Sequence, residues 1–134
     1  MSQANVEIIE RLFAAFNRRD DLAALVDQFF DPTVVWEGID DALDRGPHRG
    51  REELLAHLRS SMATLDAFRT EPEEIIDAGE NVVVAQRSHG VLKGSNTEVD
   101  QRFAIVWEIR DGKVVSHKQY RHLAQALKAV GLEE

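Results

Sequence analysis

The side chains able to do chemistry in this chain are a carboxylate, a histidine and three glutamines, all set among apolar neighbours. Glu37 follows Trp36 at the end of the β-branched run Thr33–Glu37. Turned inward, its carboxyl loses water, its pKa rises and it becomes a usable general base. Turned outward, it is a solvated strand end or the ion-pair partner of nearby arginines. His117 and Gln119 share one side of a C-terminal strand with Val115. The imidazole can act as base, acid or hydrogen-bond donor near neutral pH, whereas the glutamine can orient a ligand or water but cannot exchange a proton. Gln101 interrupts an apolar strand face, and Gln86 and Ser88 share a side of the preceding strand. Such polar groups need partners, and a ligand would supply them. Trp36, Phe103 and Trp107 are the aromatic surfaces nearby, suited to core packing or to lining a pocket. The candidate site is therefore Glu37 and His117 for proton transfer, with Trp36, Gln86, Gln101, Phe103, Trp107 and Gln119 for binding.

Other chemistries lack their residues. The 134-residue chain has no cysteine, which excludes disulfides, thiol nucleophiles and cysteine-ligated zinc. His48, His57, His89 and His122 form no HxH or HExxH spacing, so no metal site is expected. No glycine-rich phosphate loop and no G-x-S-x-G occurs, and no cofactor is expected. Arg45, Arg49 and Arg51 make a small basic patch that Asp40, Asp41 and Asp44 largely offset. Sixteen lysines and arginines against 24 aspartates and glutamates leave a net charge of −8, which argues against non-specific binding to nucleic acid or an anionic membrane. The opening MSQANVEIIERL lacks the basic-then-apolar order of a secretory signal, and no apolar run approaches the roughly 18 residues of a membrane span, so a cytoplasmic location is expected.

The elements that must position these residues follow from periodicity. Val6, Ile9, Leu12, Phe13 and Phe16 predict a helix from Ser2 to about Asn17. A second helix, capped by Asp20 or Asp21, carries Leu22, Leu25, Val26, Phe29 and Phe30 and ends at Asp31-Pro32. After the strand at Thr33–Glu37 and a polar loop over 38–50, a third helix carries Leu54, Leu55, Leu58 and Met62. Strands are then expected over 68–77, with Pro72 at an edge or bulge, and over 82–89. From Thr97 to Ile109, Val99, Gln101, Phe103, Ile105, Trp107 and Ile109 alternate with Asp100, Arg102, Ala104, Val106 and Glu108, a half-buried strand. Asp111-Gly112 predicts a hairpin returning through 114–120, and a last helix over 123–130 closes at Gly131. Residues 1–134 thus read as one α+β domain, three N-terminal helices packed on a curved, mostly antiparallel sheet. A curved sheet with helices across its concave side leaves a cone-shaped interior for a small molecule. Its opposite face, which includes Tyr120, is free to pair, so a homodimer is expected.

The stretches IERLFAAFNRRDDLAALVDQFFDPTVVWEG, HRGREELLAHL and RFAIVWEIRDGKVVSHKQYRHLAQALKAVGL resemble the nuclear transport factor 2-like superfamily, and within it the SnoaL-like branch similar to polyketide cyclases and ketosteroid isomerases. The resemblance covers essentially the whole chain; RGREEL and ALKAVGL are its more specific parts. It implies a cone-shaped fold and a small apolar, polyketide-like or steroid-like partner. It also implies cofactor-independent isomerase or cyclase chemistry with a carboxylate base, or alternatively a non-catalytic binding or dimerisation module. The isomerase pattern places the base at Glu37, the tyrosine that would hold the enolate oxygen at Leu12, and the aspartic acid beside it at Ala104 or Ile105. The branch similar to limonene epoxide hydrolase places its last-strand aspartate at Gln119 and its other two groups within 81–84. The cyclase pairing of an acid with a histidine maps loosely onto Glu37 and His117.

Overall fold

The computed structural model describes residues 2–18, 21–40 and 45–132. The first apolar stripe forms α1 (Ser2–Asn17), and α2 (Leu22–Phe29) starts at Asp21, whose carboxylate accepts the Ala23 N–H at 2.9 Å. Asp20, the other expected cap, lies outside the described residues, as do Asp41 and Asp44. Helix α2 stops just before Asp31-Pro32, as expected, and the strand expected from Thr33 begins three residues earlier. Phe30 already has extended backbone, and β1 runs over Phe30–Glu37 with Asp31 and Pro32 inside it. Pro32 is tolerated there because the pairing of β1 is irregular between Phe30 and Val35.

Two of the three expected N-terminal helices precede the sheet. The third, α3 (Gly50–Ala63), follows β1 and a two-residue strand, β2 (His48–Arg49), that folds back on Val35 and Trp36 from within the expected loop. The RGREEL segment starts α3. Gly50 has φ +83°, the Glu53 carboxylate accepts the Arg49 N–H, and Arg51 donates to the Phe30 carbonyl and the Asp27 carboxylate. Leu54, one turn on, is fully buried.

Then come β3 (Leu65–Ala78), β4 (Asn81–Leu92), β5 (Glu98–Arg110), β6 (Lys113–Tyr120) and α4 (Leu123–Ala129). Asp111 and Gly112, at φ 51° and 79°, make the β5–β6 hairpin turn. The six strands lie in the order β2-β1-β6-β5-β4-β3, antiparallel except for the parallel β1–β6 pair. Pro72 is both at an edge and at a bulge: β3 is the edge strand, and its register with β4 shifts between Pro72 and Glu74.

The α+β fold carries its main apolar core between α1, α2 and α3 and one face of the sheet, including Ile9, Leu12, Leu25, Val34, Leu54 and Val82. A second cluster lies on the other face, where α4 sets Ala126, Leu123 and Leu127 against Val83, Ala104 and Tyr120. That face is thus partly covered by the chain's own last helix. Among the described residues no helix is long and apolar enough to cross a membrane.

Candidate functional site

Strand alternation aims one set of side chains into the space under the helices, and there they enclose a cavity of about 590 Å³. This is the size range of small-molecule sites. Its deepest part is a single cross-strand row. Trp36 on β1 is opposite His117 on β6, which is opposite Trp107 on β5. Side chains in one row touch across the sheet. The Trp36 and His117 rings stack at 3.4 Å and 4°, and Trp107 stands edge-on to both, 6.0 Å and 4.4 Å away. Phe30 leans against both indoles and Phe13 meets Trp107 edge-on.

A bulge sets the direction of His117. Val114 pairs with Ile109 and Ser116 with Glu108, so Val115 is an extra residue that resets the alternation. Val114, not Val115, therefore shares the inner side with His117 and Gln119. His117 is almost fully buried, and burial, with a smaller contribution from the nearby His57 charge, holds its pKa well below the usual histidine value. It is a neutral imidazole. The Gln119 amide nitrogen lies 3.1 Å from Nε2, placed to donate to it, and Nδ1 has no partner.

Gln86, Gln101 and Phe103 also line the cavity, as the alternation predicts. Gln86 forms a buried cluster with Ser88 and with Thr70 of β3. Its amide nitrogen donates to Thr70 Oγ1 at 2.7 Å and to Ser88 Oγ at 3.2 Å, and the Ser88 hydroxyl donates to Thr70 Oγ1 at 3.1 Å. Gln101 is exposed at the rim.

Glu37 is not brought to these residues. It follows the inward-facing Trp36, so strand alternation turns it to the opposite face, where Lys118, its register partner, lies 3.3 Å from its carboxylate. The Glu37 side chain is 41% exposed. Among the described residues that line the cavity none is a carboxylate, and the ionisable ones are His57, His117 and Arg121. Of the two positions proposed for an aspartic acid, Ile105 lines the cavity and Ala104 faces the α4 cluster. Leu12 also lines the cavity.

Sequence reasoning missed several contributors, Arg121 among them. His57 lines the cavity and stacks on His48 at 4.2 Å; its three-residue helical spacing from Leu54 was the available signal. Thr70 lay on a strand whose inner side the proline obscured. Asn17, the last residue of α1, donates to the Thr70 carbonyl at 2.7 Å and accepts the Thr70 N–H at 3.0 Å, which pins the helix to the cavity wall. Nothing in the sequence links these two positions.

A family model described as a SnoaL-like domain matches residues 9–117. No curated protein matches the chain. Several solved structures share its fold. An NTF2-like protein of unknown function from Burkholderia pseudomallei aligns with TM-score 0.77 and 23% identity, over 96% of this chain and 98% of its own. A putative SnoaL-like polyketide cyclase from Jannaschia sp. gives 0.78 and 20%, over 98% and 94%. A protein from Catenulispora acidiphila with a ketosteroid isomerase-like fold, solved with trimethylamine, gives 0.74 and 21%, over 94% and 93%.

Proposed function

The chain belongs to the SnoaL-like domain family, and from that premise we propose that its cavity binds a small, largely apolar, ring-bearing molecule. The observation that carries this reading is where unpaired polarity sits. Among the described residues, the buried side-chain polar atoms without a hydrogen-bond partner are Trp36 Nε1, Gln86 Oε1, Trp107 Nε1 and His117 Nδ1, and all four residues line the cavity. A buried polar atom without a partner is costly, so a fold rarely keeps four beside one space without use for them. The aromatic floor suits a flat apolar body, and the absence of a carboxylate among the described lining residues disfavours a cationic one.

The protein's two tryptophans both stand on the cavity floor, so their fluorescence reports its occupancy. Saturable quenching by small polycyclic probes is expected. Ser61, an exposed cavity-lining residue on α3, gives the control: Ser61→Phe should obstruct the mouth and weaken binding about tenfold or more. Absence of saturable quenching by every probe would overturn the reading.

A second reading adds acid–base chemistry of isomerase or cyclase type. The feature favouring it is the neutral His117 with Gln119 on the cavity floor, a pair that can hold oxygen charge as it develops. The base in this reading is Glu37, which would have to leave Lys118 and turn inward. Glu37→Gln should then reduce turnover at least about a hundredfold. Equal turnover by the variant and the parent would leave binding alone.

A further inference from the structure

The hydrogens of the Thr70–Gln86–Ser88 cluster do not balance. Both amide hydrogens of Gln86 are used, one on each hydroxyl oxygen, and the Ser88 hydrogen is used on Thr70 Oγ1. Gln86 Oε1 is left with no donor, and the Thr70 hydroxyl hydrogen is left with no acceptor within the cluster. All three residues are more than nine-tenths buried. The cluster therefore offers one acceptor and one donor side by side.

We infer that this cluster is a subsite for a neutral hydroxyl group, so that the molecule taken by the cavity is a hydroxylated ring system: a phenol, an enol or an alcohol. The inference rests on the reading of the cavity as a ligand site and specifies what that ligand must carry. A hydroxyl donates one hydrogen bond and accepts another, which matches Oε1 and the Thr70 hydrogen. A carboxylate has no hydrogen to give and would set its charge against Oε1. An ether accepts but does not donate. An ammonium donates but has nothing for Thr70. Oε1 has essentially no accessible surface, so the ligand meets it only when Gln86 rotates, a movement that exchanges one of its two amide hydrogen bonds for the one to the ligand.

The subsite is separate from the histidine. Gln86 is opposite Phe103 on β5, and His117 is opposite Trp107 on the same strand, four residues on. That separation is about 13 Å along the sheet. A ligand anchored at Gln86 thus lays its apolar body toward the indoles.

The test is calorimetric titration of the protein at neutral pH with 2-naphthol, which donates and accepts, 2-methoxynaphthalene, which only accepts, and 2-naphthoate, which is anionic. The parent protein should bind 2-naphthol about tenfold more tightly than 2-methoxynaphthalene, the scale of one well-made hydrogen bond, and 2-naphthoate most weakly. In Gln86→Leu that preference should fall below about twofold, with 2-methoxynaphthalene affinity retained as proof of an intact cavity. Thr70→Val keeps the shape and removes the hydrogen that either neutral probe accepts, so it should weaken 2-naphthol and 2-methoxynaphthalene alike, and Gln86→Met serves if the leucine variant fails to fold. Binding of all three probes without preference, or a preference that survives loss of the Gln86 amide, overturns the hydroxyl subsite and leaves the cavity reading standing. No binding of any probe overturns both.

Discussion

The two faces of β4, β5 and β6 are built from alternate residues of the same strands, yet they handle polarity in opposite ways. On the outer face, charge is matched near the surface. Arg87 holds Asp100 at 2.8 Å, Arg102 holds Glu73 at 3.0 Å, His89 meets Glu71 at 3.1 Å and Lys118 meets Glu37 at 3.3 Å. On the inner face, a handful of neutral polar groups is buried among aromatic rings with hydrogen-bonding capacity to spare. The outer face is finished without a partner for these side chains; the inner face is not. That difference is what supports reading the inner face as the binding face, and on the outer face Glu37, the one carboxylate expected to react, has an ordinary structural role beside Lys118.

The largest effect separating the faces should come from core volume. Trp107→Ala removes an indole from the floor and should lower the free energy of urea unfolding by about 3–5 kcal/mol. Arg102→Ala, on the outer side of the same strand, should change it by no more than about 0.5 kcal/mol. Equal losses would erase the distinction. The inner face should also make stability sensitive to acid. His117 is held neutral with its pKa below the unfolded value of about 6.5, so the unfolded chain binds more protons in that interval and stability must fall as pH drops below about 6.5. One proton corresponds to about 1.4 kcal/mol per pH unit. Urea midpoints between pH 5 and 7 should show this slope in the parent and its loss in His117→Phe; a parent profile flat in that range would contradict the burial.

A smaller effect belongs to the tie between α1 and β3. Asn17→Ala removes both hydrogen bonds to the Thr70 backbone and should cost about 1–2 kcal/mol in the same measurement. Smallest of all is the outer ladder, best read by titration rather than stability. The Arg87 guanidinium holds the Asp100 carboxyl below its ordinary value. Carbon-detected NMR should find that shift abolished in Arg87→Gln, and an Asp100 that titrates alike in both proteins would show the ion pair is not maintained in solution.

Much of this arrangement was legible because it depends on short-range pattern. The α1 stripe, the alternation from Val99 to Ile109, the Asp-Gly turn and the Gly131 stop are local rules, and each corresponds to an element. What was not legible depends on where strands lose step. The side chosen for His117 and Gln119 was right, but Val115 was grouped with them because a bulge leaves no mark on composition. The end of α2 before Asp31-Pro32 was legible, but the start of β1 at Phe30 was not, because an irregular sheet pairing can accept a proline that a regular one rejects. Glu37 could have been directed outward from its neighbour alone, since two consecutive strand residues rarely face one way and Trp36 is the larger apolar group. The contact between Asn17 and Thr70, 53 residues apart, needed the fold itself.

The parallel pairing of β1 with β6 has a consequence for how the molecule is made. Glu37 and Lys118 are 81 residues apart, and Trp36 meets His117 across the same seam. Contacts between such distant positions carry a loop-closure cost and slow folding. On the ribosome, α1, α2 and β1 emerge with one side of the future cavity already patterned but with only the two-residue β2 to pair with until β6 has been synthesised. For most of translation, only the Trp36 side of the aromatic floor exists.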